Sequence, residues 1–265
     1  MRKLFYISVF FLAACSTKQV TTGNVRTDGT ITGNGKLFAT LFQQRAAEYR
    51  ALCFQAFNIA RYRVDEYKSQ SSKPKAIVTD IDETVLDNSK YEAGRALQGK
   101  EYDPQTWNEW TAMGIADTLP GAVTFLKYAA SKGITIFYVT NRDQKERTGT
   151  MKNLQRYNLP NADEAHLITR QNVSSKETRR QSINSTHEIM LFLGDNLADF
   201  SALFDKKSVD ERLKNTNFSA SDFGNRFIVL PNPVYGDWET SLYNYNYKLT
   251  RIQKDSIIRK EVRAN

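Results

Sequence analysis

The chain has 265 residues, 40% apolar and 25% charged, which supplies one sizeable core and excludes a disordered chain. Its net charge of +8 is spread thinly, with no block of five or six basic residues, so a nucleic-acid polymer is not an expected partner. No run approaches the roughly 20 apolar residues of a spanning helix, which excludes a helical integral membrane protein.

The first element is a targeting segment. Met1, Arg2 and Lys3 form a positive end, and residues 4–14 form a short apolar run, so 1–14 reads as a secretory signal. Leu12-Ala13-Ala14-Cys15 resembles the bacterial lipobox, in which the chain is cut before Cys15 and its thiol carries diacylglycerol. The expected partner is a membrane, reached through a lipid anchor at Cys15. Ser16 resembles the sorting choice for the outer membrane. Loss of Arg2 and Lys3 leaves a charge of +6, a mild excess that suits anionic lipid or phosphate. Cys53 is then the one thiol left, which excludes an internal disulfide, and its place in a helical apolar pattern marks it as buried and inert.

Residues 15–35 are rich in Thr, Gly and Asn and read as a flexible tether with a coil span on the order of 25 Å. From 36 to 68 apolar residues recur at steps of three, four or seven without Gly or Pro, which predicts one long helix; 69–74 breaks the chain. Strand–helix alternation follows. Residues 76–79 are a short strand ending in acids. Pro120-Gly121 opens a helix that closes at Gly133. Residues 134–139 are a second strand and 144–157 a helix. Residues 166–169 are a weak third strand, 175–183 a helix, 188–193 a fourth strand, and 227–230 a fifth stopped by Pro231. Repeated βα units predict the α/β class, a parallel sheet with helices on both faces. The segment 88–119 carries no strand signal and reads as an insertion. Residues 249–262 predict a polar helix whose partner the pattern does not name.

Ligands of open α/β sheets bind beyond the carboxyl ends of the strands. The first strand ends in Asp80-Ile81-Asp82-Glu83-Thr84, the second in Thr140-Asn141-Arg142, and the fourth in Gly194-Asp195-Asn196-Leu197-Ala198-Asp199. Lys176 opens the helix after the third strand. Acids, a hydroxyl and a lysine on one rim fit phosphoryl transfer. A phosphomonoester dianion repels an attacking carboxylate unless a divalent cation stands between them. Mg²⁺ prefers oxygen ligands, which Asp80, Asp195 and a backbone carbonyl near Asp82 can supply. Thr140 and Lys176 are expected to bind the remaining phosphate oxygens. Asp80 is then the nucleophile and Asp82 the proton donor to the leaving alkoxide, through an aspartyl-phosphate. Asn141 is read as a substrate-binding residue.

Asp80-x-Asp82-x-Thr84, Thr140, Lys176 and Gly194-Asp195-Asn196-Leu197-x-Asp199 resemble the four motifs of the haloacid dehalogenase superfamily. The fuller strings, with the lipobox, resemble the class C acid phosphatases, the family of bacterial outer-membrane lipoprotein acid phosphatases and 5′-nucleotidases. The resemblance runs over residues 36–245. It implies a Rossmann-like core with a small helical domain: 36–72, 88–119 and 241–265 helical, 73–87 and 120–240 catalytic core. It implies Mg²⁺ on Asp80, the Asp82 carbonyl and Asp195, supported by Asp199. It also implies Trp107 and Tyr235 as an aromatic clamp on the substrate. The implied substrates are small phosphomonoesters: nucleoside 5′-monophosphates, nicotinamide mononucleotide and aryl phosphates. A homodimer is left open.

Overall fold

The structure is a computed structural model and describes residues 29–264. The signal segment, Cys15 and most of the expected tether lie outside the described residues. In chain order the elements are α1 (Ile31–Arg45), α2 (Ala47–Glu66), β1 (Lys75–Thr79), β2 (Leu86–Asp87), α3 (Ser89–Leu97), α4 (Pro104–Met113), β3 (Asp117–Thr118), α5 (Ala122–Ser131) and β4 (Thr135–Asp143). Then come α6 (Arg147–Arg156), β5 (Leu167–Arg170), α7 (Glu177–Thr186), β6 (Glu188–Gly194), α8 (Val209–Phe218), β7 (Phe227–Val229), α9 (Asp237–Thr240) and α10 (Arg251–Glu261).

Five strands form a parallel sheet in the order β5-β4-β1-β6-β7. Side chains alternate across it, as a strand requires. Ile77, Ile136, Tyr138, Leu191 and Leu193 join one core, shared with α2 and α5. Val78, Phe137, Val139 and Phe192 join a second core on the other face with Ile183 of α7 and Phe200. Burial on both faces is what a parallel sheet needs. The chain builds outward from β1 to β4 and β5, then returns to lay β6 on the other side of β1. That reversal opens a crevice at the carboxyl end of β1.

Three expectations change. The helix predicted over 36–68 is two helices broken at Ala46, whose backbone is extended (φ −76°, ψ 127°). No local breaker causes this. α1 packs on α3 and α10 while α2 packs on α5 and β7, so the two halves serve different partners. The expected tether ends earlier, because α1 begins at Ile31 despite Gly33 and Gly35. Its first amides are satisfied from far away: the Asp255 carboxylate accepts from the Ile31 and Thr32 amides at 2.8 and 3.1 Å. The polar C-terminal helix α10 thereby gains its partner. The insertion carries α3 and α4 as expected, but β2 and β3 close its base as a two-residue antiparallel ladder too short to show in the pattern. Cys53 is fully buried, and burial pushes its thiol up to about 11. Among the described residues no helix is long and apolar enough to cross a membrane.

The connection from α2 to β1 is tied to the start of β6. The Glu188 carboxylate accepts from Tyr67 Oη at 2.9 Å, the Gln70 amide at 2.6 Å and Ser69 Oγ. These donors, Ser69 first, hold its carboxyl at about 2 against an ordinary 4.5. A depressed acid stabilises the fold above its unfolded value and loses that contribution as pH falls through the folded one. Glu188→Gln is therefore expected to lower the melting temperature at pH 6, with the gap closing as pH drops from 4.5 toward 2. Melting curves across that range check this, and a gap independent of pH counts against it.

Candidate active site

Asp80 follows β1, and its amide donates to the Leu193 carbonyl of β6 at 2.9 Å. The ends of the two central strands are thus fastened together. β6 runs into Gly194 and then Asp195. A Cβ at Gly194 would lie 2.4 Å from Asp199 Oδ2, so only glycine lets Asp199 fold back against the strand end. There Asp199 Oδ2 accepts from the Asn196 amide at 3.0 Å. Arg180, buried on α7, donates to the carbonyls of Ala198 and Asp199, both at 2.9 Å, and holds the turn.

Asp80, Asp195 and Asp199 each bring a carboxylate oxygen within 4.8 Å of the others. One ammonium answers them. Lys176 Nζ donates to Asp80 Oδ1 and to Asp199 Oδ1, the latter at 2.7 Å. Fully ionised, the four groups carry a net charge of −2. The electrostatics register this shortfall. Burial, then Asp199 and Asp80, push Asp195 far above the carboxylate range. Burial also raises Asp80, with Lys176 opposing it and Asp199 and Asp82 adding to it. Burial acts to lower the Lys176 ammonium, yet Asp199 and Asp80 hold it above its usual range. Buried carboxylates that repel one another are stabilised by a cation, and an all-oxygen set suits a hard divalent one. Asp195 is further positioned by Thr84 Oγ1 at 3.3 Å and Asn232 Nδ2 at 2.8 Å, both donating to it.

Asp82 faces a different surrounding. Its carboxylate accepts from Arg142 Nη2 at 2.7 Å, Arg142 Nε at 3.1 and 3.2 Å, and Asn88 Nδ2 at 2.8 Å. Arg142 is buried, donates to Thr150 Oγ1 at 3.0 Å, and lies over the Trp107 ring at 5.7 Å. Asn88 Oδ1 accepts from Trp110 Nε1 at 2.8 Å. The two tryptophans therefore separate in function: Trp110 orients the Asn88 amide, and Trp107 lines the cleft. Glu83, next to Asp82, is fully buried, sits at φ +53°, and accepts from the Asn88 amide at 2.8 Å. A glutamate in the left-handed region is strained, and the buried hydrogen bond offsets that cost.

Asp80, Asp82, Lys176, Asp195 and Asp199 line one cleft of about 500 Å³. Trp107, Asn141 and Tyr235 line it too, so the structure brings all these sequence-predicted residues together. Thr140 stands apart. β4 continues to Asp143, so Thr140 is inside the strand rather than beyond its end. It is fully buried, and its hydroxyl accepts from the Arg142 amide at 3.0 Å. Arg179 donates to the Thr140 carbonyl and to Asn141 Oδ1, both at 2.7 Å, and so fastens that strand end. His166 and His187 pack on Phe137 and do not line the cleft.

Sequence reasoning missed Asn232, Arg142 and Asn88. A signal existed for Asn232: it follows the fifth strand, next to β6, where the strand-end rule applies as it does to Asp195. Arg142 stood in a strand-end string, but nothing local pairs it with Asp82, 60 residues away, and Asn88, six residues from Asp82, follows no predicted strand.

The profile of the HAD superfamily, subfamily IIIB (acid phosphatase), matches residues 8–238. The class C acid phosphatase of Bacillus anthracis is 40% identical, with a TM-score of 0.85 over 88% of this chain and 99% of that one. A second structure of the Bacillus anthracis class C acid phosphatase, with tungstate bound, is also 40% identical, with a TM-score of 0.85 over 89% of this chain and 99% of that one. A four-motif strand-end site on a parallel sheet, matched over most of its length, makes this chain a member of the acid phosphatases of HAD subfamily IIIB, and hence a phosphomonoesterase.

Proposed function

We propose that the chain is a Mg²⁺-dependent acid phosphatase for small phosphomonoesters, anchored through Cys15 to the outer membrane, with Asp80 as nucleophile. One observation carries the site reading: three mutually repelling carboxylates stand against one ammonium in the cleft. Asp80, Asp195 and the backbone carbonyl of Asp82 would hold the ion, with Asp199 beside them. When bound, Mg²⁺ supplies the positive charge that lets a carboxylate approach a phosphate dianion.

Asp80 attacks phosphorus, the bond to the leaving oxygen breaks, and Asp82 gives that oxygen a proton. Water then attacks the aspartyl-phosphate, Asp82 recovers a proton from it, and phosphate leaves with Asp80 restored. Every hydrogen bond to Asp82 in this state comes from a donor. Its acid role therefore requires the Arg142 contact to open when substrate binds. Lys176 stabilises the phosphoryl oxygens. Trp107 and Tyr235 clamp the leaving group, with Asn141 at the rim. Nucleoside 5′-monophosphates, nicotinamide mononucleotide and aryl phosphates are the substrates this predicts.

EDTA is expected to reduce hydrolysis of an aryl phosphate to background, and added Mg²⁺ to restore it. Tungstate, a tetrahedral oxyanion, is expected to inhibit competitively. Full activity in chelator rejects the metal requirement.

A further inference from the structure

The cleft extends from the reacting carboxylates to an end built by α1, α3, α9 and α10, where Lys36, Glu92, Glu101, Glu239 and Lys254 line it. Two of these acids have cations. Lys36 Nζ lies 3.1 Å from Glu239 Oε2, and Lys254 Nζ 2.8 Å from Glu101 Oε2. Glu92 does not. It is 8% exposed, and its carboxylate makes no hydrogen bond or ion pair among the described residues. Burial raises its carboxyl, with Lys36 and Arg95 opposing and Glu239 adding to the rise. Glu92 stands in the first turn of α3, but a helix terminus contributes less than burying a carboxylate without a hydrogen-bond donor costs. Lys36 and Arg95 act on it from a distance, and neither makes a hydrogen bond or ion pair with it.

Resting on the phosphomonoesterase reading above, we infer that Glu92 is a specificity residue, whose carboxylate receives N–H or O–H donors carried on the far end of the substrate's leaving group. Pockets of this size fix a ligand's orientation with a few placed polar groups among apolar and aromatic walls. Here the aromatic wall is Tyr102, Trp107 and Tyr235, and Glu92 is the acceptor left unmatched until a ligand arrives. Amines, amides and hydroxyls, neutral or cationic, satisfy it. A leaving group with a second anion at that end is repelled by Glu92 and Glu239 together.

The test compares adenosine 5′-monophosphate, which carries such donors, with phenyl phosphate, which carries none. For Glu92→Ala the ratio of kcat/KM for the nucleotide to that for phenyl phosphate is expected to fall about 10-fold or more, mainly through KM. A structural role would lower both alike, so an unchanged ratio overturns the inference. The melting temperature of the variant is expected at or above that of the wild type, because a buried carboxyl without a hydrogen-bond donor has gone. A marked fall in melting temperature overturns the claim that Glu92 is unmatched in the free protein. Wild-type inactivity toward both esters defeats the phosphatase reading itself, and the subsite with it, before any variant is made.

Discussion

Asp80→Asn is expected to lower kcat by about 10⁴-fold or more while leaving the fold intact. Asparagine keeps the shape of the side chain and an oxygen to accept from Lys176, so the packing at the end of β1 is preserved. What it removes is the anionic oxygen proposed to attack phosphorus. It also removes one of three carboxylates that repel one another in the metal-free protein. Loss of activity should therefore come without loss of stability, measured as steady-state phosphate release beside circular dichroism and thermal melting on one preparation. Hydrolysis near the wild-type rate would remove Asp80 from the nucleophile's role. Inactivity with a collapsed fold would leave the experiment measuring structure, and Asp80→Glu, which keeps the charge and displaces it, then separates the two.

Lys176→Met should produce the second large effect, and there stability and activity fall together. Lys176 is buried and donates to Asp80 and Asp199, and no other ammonium contacts the acidic cluster among the described residues. Methionine fills a similar volume and carries no charge. Breaking a buried ion pair by removing one partner costs about 3–5 kcal/mol, because the remaining charges are left uncompensated. Loss of a donor aimed at transition-state charge lowers turnover by about 10²–10³-fold. Urea denaturation in chelator and kcat in saturating Mg²⁺ measure the two effects separately. Mg²⁺ should recover part of the stability, since it supplies positive charge to the same carboxylates, and little of the turnover. A variant within twofold of wild type in kcat would mean that Lys176 only balances charge.

Much of this site was legible because its residues lie where short-range rules are strong. Asp80, Asp195 and Asp199 follow apolar strand segments, and the strand-end rule then places them on one rim without knowledge of the packing. Gly194 was legible as the end of a strand, though not as the gap that admits Asp199. Asn232 was open to the same rule and was passed over. Arg142 was quoted within its strand string and given no role: an arginine after a strand is ordinary, and nothing local says that its guanidinium turns inward to Asp82.

The order of strands and helices, the class of sheet and the carboxylates at the strand ends were determined by the chain itself, because alternation, periodicity and strand ends are properties of neighbours in sequence. Only the tertiary structure decided that the N-terminal helix breaks at Ala46, that α1 starts at Ile31, and that Asp82 rests against Arg142. It alone decided that Glu92 is buried without a hydrogen-bond donor. Each of these depends on groups far apart in the chain, such as Asp255 and the amides of α1, 224 and 223 positions away. A buried polar group takes whichever partner the packing brings to it, and no local preference encodes that partner's distance along the chain.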